Sequence, residues 1–155
     1  MREVLYRGKA INRNKGYHRT KYKNGDWVYG LLSRLYDENF QNLPAEMTNE
    51  YGVSGIEIDH NTVGQYTGLT DKNGKKIFEG DICSSKGMIY QIIWLGDKYG
   101  WFCKVLKSIS CLIDTTMAFP LYQYDNRPEN GYRQLEIIGN IHDNPELLKG
   151  GGSDA

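Results

Sequence analysis

Turn signals recur so densely along this chain that only short extended segments fit between them. Asn24-Gly25, Asp71-Lys72-Asn73-Gly74, Glu79-Gly80-Asp81 and Gly96-Asp97-Lys98-Tyr99-Gly100 each supply the glycine or aspartate that tight turns favour. The apolar stretches beside them follow a strand period. Met88 to Leu95 sets Ile89, Gln91 and Ile93 on one face and Tyr90, Ile92 and Trp94 on the other. Glu3–Ile11, Asp26–Tyr29, Ile56–Ile58, Val63–Leu69, Ile77–Phe78, Ile82–Cys83, Trp101–Leu106 and Gln134–Ile141 read as further strands. Leu31–Phe40 leaves strand and short helix open. Gln41–Gly55 reads as a surface loop around Pro44, and Ser108–Gly131, with Pro120 and Pro128, as a long, weakly patterned excursion. Asn144-Pro145-Glu146-Leu147-Leu148 reads as a short helix, with Asn144 as its cap and Pro145 at its first position.

The fold class that follows is mainly β with minor α. Residues 1–60 form an N-terminal β subdomain with a basic hairpin loop, residues 61–148 a small SH3-like barrel, and residues 149–155 a flexible tail. Twelve tyrosines and eighteen glycines against four prolines suit short strands and tight turns. No stretch approaches the roughly 18 apolar residues of a membrane span. The start, Met1-Arg2-Glu3-Val4-Leu5-Tyr6-Arg7, lacks the apolar centre of an export signal. Cys83, Cys103 and Cys111 are an odd, sparse set rather than a disulfide framework. A cytoplasmic protein is expected, with no membrane contact.

Three blocks carry a family resemblance. The first is Arg2-Glu3-Val4-Leu5-Tyr6-Arg7-Gly8-Lys9 with Gly25-Asp26-Trp27-Val28-Tyr29-Gly30, and the second is the long run from Val63 to Ile82. The third is Ile137-Ile138-Gly139-Asn140-Ile141-His142-Asp143-Asn144-Pro145-Glu146-Leu147-Leu148. Together they resemble the YopX family of bacteriophage and prophage proteins, from Arg2 to Leu148. The resemblance implies an SH3-like barrel in the C-terminal half and a phage or integrated element expressed in a bacterial cytoplasm. It brings no biochemical activity with it. Gly16–Lys23 is longer than the family's usual first loop.

The chain holds 19 basic and 19 acidic residues, but they are segregated. Residues 1–24 carry eight Lys or Arg against Glu3 alone, a net +7, which leaves 11 basic and 18 acidic residues, a net −7, for the rest. Arg13, Lys15, Arg19, Lys21 and Lys23, interleaved with Tyr17 and Tyr22, are the residue types that meet phosphates and stack on bases in single-stranded nucleic acid. A solvated loop, or a patch docking on an acidic subunit, would use the same charges. Trp94, Tyr99 and Trp101 gather at one hairpin. Exposed, they suit an aromatic groove for an extended peptide; buried, which is the expectation, they fill the barrel.

For catalysis the available parts are Cys103 or Ser84 with His60 or His142 and Asp59 or Asp143, together with Glu57 and Asp59 on an edge strand. No nucleophile signature, phosphate loop or Cys-x-x-Cys pair joins them. Gly68, Gly74 and Gly80 are assigned to turns, and Asp71 and Asp81 to backbone hydrogen bonds. No cofactor or metal is expected. The function expected is a non-enzymatic phage accessory protein that binds an unknown protein partner or its own copies. DNA or RNA binding through residues 12–24 is the alternative, and a small enzyme the weaker one.

Overall fold

The computed structural model of the protein describes residues 2–11, 22–35, 44–124 and 134–149. The fold is mainly β, and the chain divides into two compact units, Met1–Tyr66 and Thr67–Ala155. In the first unit, strands β1 (Tyr6–Ala10), β2 (Trp27–Arg34) and β3 (Ala45–Asn49) pair in succession, and β3 pairs with β4 (Ile56–Thr70). Strand β4 also pairs with β1, so the antiparallel pairings complete a circuit.

Ile58 shows why these strands meet. It stands opposite Ala45 on one flank and Ala10 on the other, and it is fully buried. Val28, Met47 and Ile56 complete the core around it. The small residues let backbones approach: a Cβ on Gly8 would collide with Ile58 Cγ2. Two sequence expectations change here. Glu57 and Asp59 lie on a strand paired on both sides, opposite Glu46 and Lys9, not on an edge. Ala45 and Met47 are buried in a strand within Gln41–Gly55, where a loop was expected. Ala-Glu-Met-Thr-Asn has weak strand propensity, and pairing with two neighbours overrides it.

In the second unit β4 continues to Thr70 beside β5 (Lys76–Phe78), and Thr67 Oγ1 donates to the Ile77 carbonyl at 2.8 Å. Strands β6 (Asp81–Ser85), β7 (Met88–Leu95), β8 (Gly100–Lys107), β9 (Ala118–Pro120) and β10 (Glu136–Asn140) make an antiparallel sheet in the order β10-β6-β7-β8-β9. Its core includes Ile77, Cys83, Tyr90, Ile92, Cys103, Val105, Leu121 and Leu135. The turn aspartates act on backbone as expected: Asp71 Oδ1 accepts from Asn73 and Lys75 N–H, and Asp81 Oδ2 from Phe78 N–H at 2.7 Å.

Short 3-10 turns complete this unit at Gly96–Lys98, Leu121–Tyr124 and Pro145–Lys149. The excursion after Ser108 therefore holds an edge strand and a turn that buries Leu121. Its strand ends in proline, which is tolerated at an edge. Asn144 does precede a helical turn, but its side chain looks backwards: Oδ1 accepts from Asn140 N–H at 3.2 Å rather than capping the turn ahead. Among the described residues no helix is long and apolar enough to cross a membrane.

Candidate functional site

The β7–β8 hairpin gathers the exposed aromatic surface of the second unit. Along β7, Met88, Tyr90 and Ile92 are buried in alternation, and Trp94 continues that face past the end of the core, where it is 46% exposed. Its cross-strand neighbour is Trp101, and the rings meet edge to face at 5.0 Å and 70°. Such pairs add about 0.5–1.5 kcal/mol beyond the area they cover. Trp101 is half-buried, and its indole N–H is buried with no acceptor among the described residues. An unmet buried donor costs about 1–3 kcal/mol.

Tyr99 closes the hairpin in the left-handed conformation, φ 50° and ψ 46°, and is 86% exposed. For a bulky L-residue that conformation costs roughly 1–2 kcal/mol. Next to it lies a groove of about 420 Å³ walled by Tyr99, Trp101, Phe102, Pro120 and Tyr122. Pro120 is the register partner of Phe102, so β9 sets the far wall against β8. Buried Leu121 anchors the following turn and leaves Tyr122 66% exposed. Among the described residues Lys98 is the one charged side chain lining the groove, with its ammonium 5.4 Å from the Phe102 ring centroid.

Trp94 and Tyr99 thus stand in solvent where burial was expected, because the core ends at Ile92 and the hairpin extends beyond it. Lys98, Phe102, Pro120 and Tyr122 join the site without having been singled out in the sequence. Phe119-Pro120-Leu121-Tyr122, an apolar island in the excursion, is the signal that marks them.

Of the cationic loop, Arg13, Lys15, Tyr17, Arg19 and Lys21 lie outside the described residues. Tyr22 packs against the first core, and its hydroxyl accepts from Asn49 Nδ2 at 3.1 Å. Lys23 is exposed, and its N–H donates to Asp26 Oδ2 at 2.8 Å, tightening the turn into β2. On β1, the Arg7 guanidinium lies 4.6 Å and the Lys9 ammonium 5.3 Å from the Trp27 ring centroid. Both are cation–π distances.

The catalytic parts are differently placed. Cys103 is fully buried, and burial pushes its thiol far above the usual range, which opposes thiolate formation. Cys83 is also buried, whereas Cys111 is exposed. Asp114 is held below the usual carboxylate range, first by the Thr116 hydroxyl and then by the Thr116 N–H. It sits in an exposed turn.

The family model described as YopX protein matches residues 6–149. The chain belongs to the YopX family. The match runs from the first residue of β1 to the last residue of the terminal 3-10 turn, so the YopX assignment spans both units. Among solved structures, the YopX chain is similar to one described as the crystal structure of protein EF1440 from Enterococcus faecalis. The two are 21% identical, with 94% of this chain and 98% of that chain covered and a TM-score of 0.47. No curated protein matches.

Proposed function

We propose that this is a non-enzymatic accessory protein, encoded by a phage or prophage and acting in the bacterial cytoplasm, that binds another protein through the aromatic groove of its second unit. The observation that carries this is the exposure of Tyr99 and Tyr122 on either side of one groove. Contiguous exposed apolar surface beside a groove marks an interaction site on a soluble protein, whereas apolar residues exposed singly do not. The groove, of about 420 Å³, is walled by aromatic and proline side chains, the kind of lining that takes extended peptides. The strand order β10-β6-β7-β8-β9, with a 3-10 turn between β9 and β10, supports an SH3-like barrel, a fold whose aromatic grooves take extended peptides.

Titration of the labelled protein with partner-derived or library-selected peptides tests this function. Amide shifts gathered at Lys98–Phe102, Leu121 and Tyr122, and lost in Tyr122→Ala, are expected. Binding that leaves those residues unmoved would exclude the groove. Light scattering separates self-association from binding to a different partner.

Nucleic-acid binding is the second reading. Lys9, half-buried beside Trp27, extends the cation and aromatic character of residues 12–24 into the strands at the loop's base, whereas Arg7 on the same ring is buried. Affinity for single-stranded DNA that falls with salt, and collapses when Arg13, Lys15 and Arg19 are reversed to glutamate, is the expected behaviour. No binding at low salt would remove it.

A further inference from the structure

We infer that the groove selects an extended protein segment in which a carboxylate stands beside apolar or proline residues, with Lys98 reading the carboxylate; this rests on the protein-binding reading above. The walls are apolar and aromatic, so most of the occupant's contact is apolar. The charge on them has one sign. Among the described residues Lys98 is the sole charged one lining the groove, and it makes no ion pair there. Its acidic neighbour in the turn, Asp97, does not line the groove.

Trp101 stands in the same wall, with its indole N–H buried rather than open to the groove. An occupant that brings a carboxylate meets Lys98 as an opposite charge, and one that brings cations meets it as a like charge. Tyr99 supplies the independent sign of function. It is a bulky ring held at positive φ and exposed to water, a conformation that glycine would take without strain.

The test is selection of random displayed peptides on the full-length protein, with counter-selection on Tyr122→Ala. Enriched peptides should carry aspartate or glutamate at a constant spacing from proline or aromatic residues. Replacing that acid by its amide should weaken binding roughly tenfold, and Lys98→Gln should remove the difference between the two peptides. The Trp101 indole resonance, assigned by elimination with Trp27→Phe and Trp94→Phe, should shift on addition of the acidic peptide.

Groove-dependent peptides without acidic preference, or an acid effect that persists in Lys98→Gln, would overturn the carboxylate inference and leave protein binding standing. Failure to enrich any groove-dependent peptide would overturn both. Competition for the groove by a single-stranded oligonucleotide would assign the occupant to nucleic acid and also overturn both.

Discussion

Asp71 Oδ2 accepts a hydrogen bond from the Ile137 N–H at 3.1 Å, joining a turn to a strand 66 residues later. The other carboxylate oxygen accepts from Asn73 and Lys75 N–H, both at 2.9 Å, and the side chain is buried. One residue therefore shapes the turn after β4 and holds the start of β10. The Lys72 N–H donates to the Leu135 carbonyl beside it. Asp71→Ala should lower stability by about 2–4 kcal/mol, since three amide donors lose one charged acceptor. Glu136→Gln, which breaks a half-exposed ion pair with Lys72, should change it by less than ~1 kcal/mol. Urea midpoints at constant slope measure both. An Asp71 effect no larger than that of Glu136 would refute the assignment.

Gly139 and Asn144 should be energetically coupled. A Cβ at 139 would run into Asn144 Oδ1, the acceptor for Asn140 N–H. Gly139→Ala should destabilise by about 1–3 kcal/mol through overpacking. In an Asn144→Ala background the same change should cost clearly less, because the obstructing carboxamide is gone. A double-mutant cycle measures the coupling, and simple additivity would count against it.

Tyr99→Gly should raise stability and weaken partner binding together. Glycine accepts φ 50° without strain, so the unfolding free energy should rise by roughly 1 kcal/mol. Loss of the exposed ring should weaken groove-dependent peptides. A variant that is stabilised and binds unchanged would take Tyr99 out of the site.

The cysteines should differ in reactivity. Brief alkylation of the folded protein, followed by mass spectrometry, should label Cys111 and spare Cys83 and Cys103 until urea unfolds the chain. Burial raises the folded pKa of Cys103 above its unfolded value. Its contribution to stability is therefore complete below about pH 8.5 and declines as pH rises further, by up to ~1.4 kcal/mol per pH unit. Cys103→Ala should be less stable overall, yet lose less between pH 8 and pH 10, as urea midpoints across that range would record. An unchanged slope would contradict burial of this thiol.

Much of the second unit was legible because its local signals agree with one another. Asp71, Asp81 and the glycines beside them point to turns by their own chemistry, and the alternation from Met88 to Ile92 matches a strand with one buried face. The YopX blocks and the mainly β class could be read at the same level. Less legible were β3, whose residues favour no strand by themselves, and β9, which ends in Pro120.

What the sequence determined alone was the turns and short strands from Asp71 to Leu106, since both follow from φ preferences and from spacing between neighbours. Tertiary structure decided which flank Ile58 shares with Ala45 and which with Ala10, and that Trp94 and Tyr99 face water. It also brought residues 98–102 and 120–122 around one groove. These depend on contacts between segments far apart in the chain, and the burial of any side chain depends on what the rest of the fold brings against it.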